Sequence, residues 1–220
     1  CMMQDFAQVL QATNKQAKVG FTQIPLELGY YPIKNGLAAA AELSHRGIPA
    51  MSASTAEAAV YHAYGSMLRV LGCSVGQFQE RVYAGVRVHE GPKIVLAPSF
   101  APGMKLLSER ILAPHSVHIS SRSTLIVEGE NVTISALHLD GTLEVRVGPE
   151  AHLHIESLEM KNKGWTFEAL TPHELRSDDV PEVERMRGYR IRRHEELRIV
   201  LLAEKGRWRV ANNKFTQEGE

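Results

Sequence analysis

The chain has 220 residues, 44% of them hydrophobic, enough for one large domain or two small ones. Lysine and arginine together number 25, as do aspartate and glutamate, so no global charge points to nucleic acid or a membrane surface. Two cysteines without a CxxC exclude a disulfide framework and a zinc knuckle, and suit a reducing compartment. There is no long apolar span and no signal-peptide layout, so the expected setting is soluble and cytoplasmic.

The chain opens "CMMQDFAQVL", with no initiator methionine and an apolar run at once. This reads as an entering strand, and the absent methionine suggests the C-terminal piece of a longer protein. Val19–Ile24 ("VGFTQI") and the "YYPI" run have strand character. Residues 37–43 are alanine-rich and helical, with Asn35 or Gly36 as N-cap. Ser54 and Glu57 form an S-x-x-E capping box for a long helix, which Gly72 ends. Along it Val60, Ala63, Tyr64, Met67, Leu68 and Leu71 recur at helical spacing and predict a core stripe.

Near Val86 the composition changes. From there to Lys161 the alternation has period two, with short strands between Gly129, Gly141, Gly148 and Pro149. Val132, Ile134, Leu137, Leu139, Leu143, Val145, Val147, Leu153 and Ile155 are the predicted inward faces. Stacked coils of a parallel β-helix fit this pattern, and a small sandwich is the other option. The tail carries a polar segment, a predicted helix over Arg192–Glu204 ending at Gly206, and a last strand in "RWRVAN".

The common chemical signatures are missing: no GxGxxG, Walker loop, GxSxG or HExxH. His152 and His154 share one strand face, a spacing that metals use. Structural zinc wants four ligands, so a solvated outer face is the expected role. The arginines of "RMRGYRIRRHEELR" sit among Glu182, Glu184, Glu195 and Glu196, which predicts a salt-bridged surface helix rather than a nucleic-acid patch. Ser120, Ser121 and Arg122 fit turn hydrogen bonding better than an anion site.

Lys34, in "YYPIKNGL", stands out. It follows an apolar approach and precedes a helix start, where free N–H groups and the helix dipole favour anions. Two readings fit it equally: a phosphate contact, or a lysine snorkelling to water.

Five segments in order, "CMMQD", "YYPIKN", "SSRSTLIVEG", "LHLDGTLEV" and "KNKGW", resemble the UDP-sugar pyrophosphorylases, broad-specificity members of the UTP:sugar-1-phosphate uridylyltransferases. The likeness extends to "VPEVERMRGYR" in the tail. It implies an α/β protein in which residues 1–85 are the C-terminal portion of a Rossmann-like nucleotidyltransferase domain. Residues 86–220 would then be a β-helix-like C-terminal domain with a helical tail.

The implied reaction is reversible and magnesium-dependent: a sugar 1-phosphate attacks the α-phosphorus of UTP, giving UDP-sugar and pyrophosphate. Magnesium would be held by the substrate phosphates and by residues outside this chain. The nucleotide loop and metal carboxylate would lie on an N-terminal catalytic portion, so the chain alone is expected to be inactive.

By the same resemblance Lys34 matches the lysine that contacts the phosphates. The "CMMQDF" strand would pass the sugar pocket and offer Gln4 or Met3. Met2 and Gln4 would form one face and Met3 and Asp5 the other, with neither chosen. The competing expectation is a non-catalytic β-helical interaction module.

Overall fold

The computed structural model describes residues 2–218. The opening residues form a helix, α1 (Met2–Thr13), and not the expected strand. Phe6, Val9 and Leu10 recur at helical spacing, and this pattern prevails over the short alternation at the start. The short helix α2 (Leu26–Gly29) follows. The expected strands at 19–24 and 30–33 are irregular instead, and Phe21 is 92% exposed and Tyr30 71%. Without a neighbouring strand to pair with, β propensity has nothing to act on.

Helices α3 (Leu37–His45) and α4 (Ala53–Leu71) then pack beside a hairpin of β2 (Gln79–Tyr83) and β3 (Val86–Glu90), which follows the short strand β1 (Ser74–Val75). The N-cap of α4 is Ser52, and its box partner is Thr55, not the predicted pair Ser54 and Glu57. The Thr55 N–H donates to Ser52 Oγ, and the Ser52 N–H donates to Thr55 Oγ1 at 2.9 Å. Glu57 instead accepts from the Tyr61 hydroxyl and pairs with Arg187.

Of the predicted stripe, Leu68 is buried and Tyr64, Met67 and Leu71 pack on the main core, whereas Val60 is exposed. Gly72 ends α4 in the left-handed region, φ 104°, and a Cβ there would lie 2.9 Å from the His115 ring.

From β4 (Lys93–Leu96) onward the chain builds, together with β1 at one edge, three four-stranded sheets. A helix that the alternation did not reveal, α5 (Met104–Arg110), intervenes. Then β5 (Val117–Ile119), β6 (Thr124–Glu128), β7 (Val132–Ile134), β8 (Leu137–Asp140), β9 (Thr142–Val147), β10 (Ala151–Ile155) and β11 (Leu158–Lys161) follow one another. From β6 to β11 the chain visits the three sheets in rotation. Each strand lies parallel to its counterpart one round earlier: Thr124 beside Thr142, Val132 beside Leu153, Leu137 beside Leu158.

All nine predicted inward residues from Val132 to Ile155 are buried in one continuous core. Gly141, at φ 146°, makes one corner: a Cβ would come within 2.1 Å of Asn162 Oδ1, which itself accepts from the Thr142 N–H.

The tail interrupts and then resumes this stack. Strands β12 (Trp165–Ala169) and β13 (Tyr189–Arg193) form an antiparallel hairpin, with the short helix α6 (Glu182–Arg187) between them. Strand β14 (Leu197–Leu201) adds to β9, and β15 (Gly206–Ala211) adds to β10, with β16 (Lys214–Glu218) closing the edge. The helix expected over Arg192–Glu204 is therefore a strand, because Leu197, Ile199 and Leu201 dock beside Leu143, Val145 and Val147. The last strand in "RWRVAN" is as expected.

The arginines form salt bridges, but from strands and a short helix rather than one surface helix, and mostly with carboxylates other than the four expected: Arg190 with Glu174 and Glu184, Arg192 with Glu168, Arg185 with Asp178. A second, smaller core of Ala40, Ala50, Ala58, Tyr83, Val86, Val88 and Tyr189 joins the early helices to the hairpins. Among the described residues no helix is long and apolar enough to cross a membrane.

Candidate functional site

Lys34 lies on the coil between α2 and α3, and its backbone is fixed although its side chain is exposed. The N–H groups of Lys34 and Asn35 both donate to the Met51 carbonyl, at 2.8 and 3.2 Å. The Asn35 amide adds a bond to the Ala50 carbonyl at 2.9 Å. Met51 adopts φ 47°, an uncommon conformation for a side-chain-bearing residue, and Ser52 caps α4 immediately after it. The Lys34 segment is thus stitched to the residues that start α4, while Gly36 serves as the N-cap of α3.

No side chain caps α3, so its first N–H groups have no side-chain acceptor. The Lys34 ammonium has no ion-pair or hydrogen-bond partner among the described residues. A lysine held at a helix start, with its charge uncommitted, is a local arrangement suited to a phosphate.

Behind this loop opens a cleft of about 510 Å³. Its walls include Tyr31, Ala50, His62, Arg87 and His89, and Lys34 itself is not among its lining residues. His62 Nδ1 lies 3.6 Å from Glu27, and the Arg87 N–H donates to Ser44 Oγ. Sequence reasoning passed over Arg87 and His89. The signal was present, since Arg87 and His89 alternate on β3 with the buried Val86 and Val88.

Other candidates fare differently. Met3 and Gln4 lie on α1, so the two-faced alternation expected of a strand does not apply, and their side chains fall outside the described residues. His152 and His154 do share the outward face of β10. His154 is engaged with Thr133 Oγ1 at 2.9 Å. Arg122 contacts the Asp140 carboxylate at 2.6 Å and donates to the carbonyls of Asp140 and Asn162. Ser120 also donates to Asp140, and these bonds hold that carboxyl below its usual range, the Arg122 bond most. Residues 120–123 thus perform the expected turn bonding.

Trp165 donates its indole N–H to Glu196 and carries the Arg193 guanidinium 4.4 Å from its ring centre. Burial pushes the Cys73 thiol up to about 11, away from nucleophile chemistry.

No family model matches the chain. Curated UDP-sugar pyrophosphorylases do. The Arabidopsis thaliana protein is 34% identical over 197 residues, which cover 90% of this chain and 30% of that protein. The protein of Oryza sativa subsp. indica is 34% identical over 199 residues, 90% of this chain and 31% of its own length. That of Oryza sativa subsp. japonica is likewise 34% identical over 199 residues. The chain thus spans about 30% of the length of these relatives, and over the stretch that it spans it is similar to the UDP-sugar pyrophosphorylases.

Proposed function

We propose that the chain is the C-terminal part of a cytoplasmic UDP-sugar pyrophosphorylase of broad sugar specificity. Residues 1–85 are the last portion of its Rossmann-like nucleotidyltransferase domain, and residues 86–220 are its β-helix-like C-terminal domain. The parallel sheets visited in rotation support the second assignment. The enzyme makes UDP-sugar and pyrophosphate reversibly from UTP and a monosaccharide 1-phosphate. The nucleotide-binding loop lies on polypeptide outside this chain, so these residues by themselves do not turn over.

The observation that carries this reading is the Lys34 segment, fixed by the Met51 carbonyl and Asn35 at a helix start, with an exposed ammonium that has no partner among the described residues. In-line attack of the sugar phosphate oxygen on the α-phosphorus breaks the bond to pyrophosphate. Negative charge then grows on the bridging oxygen and its neighbours. A preorganised cation there lowers the barrier without acting as a nucleophile. Magnesium belongs to the proposal too. It would be held by the substrate phosphates and by residues outside this chain.

Kinetics of Lys34→Ala in both directions, in the enzyme containing the remaining catalytic portion, test this role. Loss of a preorganised donor costs about 3 kcal/mol, on the order of 10²–10³ in turnover. The melting temperature should stay put, since the pinning bonds come from backbone and Asn35. Lys34→Arg should restore activity only in part, because a planar guanidinium places its donors differently. Turnover within a few-fold of wild type would reduce Lys34 to a surface lysine.

A further inference from the structure

A second polar cleft, of about 310 Å³, opens where the β2–β3 hairpin, β12 and the turn after β5 meet. Lys93 lies at its floor and is only 5% exposed. Its ammonium donates to Glu90 Oε1 at 2.7 Å and sits 4.7 Å from the centre of the Phe167 ring. The Tyr83 hydroxyl donates to the other Glu90 oxygen. Both carboxylate oxygens are therefore engaged, while an ammonium has three donors and this one has a single hydrogen-bond partner among the described residues.

Gln79, Arg81 and Tyr83 alternate on β2 and all line the cleft. Arg81 is exposed and has no ion-pair or hydrogen-bond partner among the described residues. Arg122 also reaches the rim, but Asp140 and the carbonyls around it already occupy its guanidinium. A buried ion pair seldom stabilises more than apolar residues of the same size would, so stability alone gives little reason to keep Lys93 here. The cleft as a whole has more free donors than acceptors. A ligand rich in acceptors and negatively charged would balance it.

We propose that this cleft binds the phosphate group of a small phosphorylated metabolite, with Lys93 and Arg81 contacting its oxygens and the Gln77 and Gln79 amides facing its polar remainder. The site is separate from the Lys34 loop and does not depend on the role given to it. The cleft lies between the β2–β3 hairpin, the turn after β5 and β12, so an occupant would tie these together.

Isothermal titration of the 220-residue chain with inorganic phosphate tests this, with Arg81→Ala, Lys93→Met and Lys34→Ala beside wild type. One equivalent of phosphate should bind. Arg81→Ala should weaken it about tenfold, the loss of one charge-assisted contact. Lys93→Met removes the other contact and should abolish binding where a melting curve shows the variant folded. Arg81 is exposed, so its variant keeps the test decisive even if Lys93→Met does not fold. No phosphate binding at millimolar concentration, or binding that Arg81→Ala leaves intact, would overturn the proposal. So would an isotherm lost in Lys34→Ala alone.

Discussion

Residues 19–33 and the stacked strands from Thr124 to Lys161 are both rich in large apolar side chains, and they use them in opposite ways. In the stack, Leu137, Leu143 and Ile155 are wholly buried, each facing the core from a strand paired on its neighbours. In the earlier segment, Phe21, Ile24, Leu28, Tyr30 and Ile33 are all exposed. Sequence hydrophobicity alone does not separate these cases. What separates them is whether the surrounding chain supplies a partner face. Contiguous exposed apolar surface of this kind marks a contact region, which fits a segment that completes its packing on other polypeptide.

The largest effect should come from striking the stack. Leu143→Ala leaves a cavity inside a closed core and should cost about 2–5 kcal/mol in stability. Phe21→Ser, at a site 92% exposed, should stay within about 0.5 kcal/mol. Chemical denaturation of the two variants makes the contrast directly; similar losses would mean that residues 19–33 are packed in solution.

A smaller effect is expected at the corner between β8 and β9. Gly141→Ala would place a methyl against Asn162 Oδ1 and hold a left-handed backbone, and should cost about 1–3 kcal/mol. A melting temperature equal to wild type would show that the corner relaxes freely.

The smallest effect concerns the hairpin insertion rather than the stack. Glu174 accepts from the Thr171 N–H and hydroxyl and from Arg190, which lowers its carboxyl from 4.5 to about 2, the backbone bond contributing most. Because the folded value is depressed, its stabilisation is complete above the unfolded value of 4.5. It is lost as pH falls from 4.5 to about 2. Glu174→Gln should therefore lower the melting temperature slightly at neutral pH and flatten its pH dependence between 4.5 and about 2. A slope matching wild type would remove this carboxylate from the acid response.

Much of the stack was legible in the sequence, because a buried sheet writes period two into every strand and glycine marks its corners. The nine inward residues from Val132 to Ile155 needed only that rule. The start of α4 was half legible. Serines stand at 52 and at 54, and only the Thr55 hydroxyl's reach to the Ser52 N–H decides between them.

The tail strand β14 was illegible for a different reason. Its "EELR" charges suit a helix, and its strand form comes from docking on β9, far off in sequence. Lys34 itself was visible, as a lysine before a helix start. The carbonyl that fixes its backbone belongs to Met51, and no local pattern points there.

We propose that this chain supplies the phosphate lysine of a uridylyltransferase site completed by other polypeptide. UDP-sugar formation from UTP and glucose 1-phosphate tests it most directly, measured for the purified 220-residue chain alone and after addition of the N-terminal catalytic portion. The chain alone should show no turnover, recombination should restore it, and a Lys34→Ala chain should lose on the order of 10²–10³ of that activity. Turnover by the chain alone, or full activity on recombination with the Lys34→Ala chain, would contradict it.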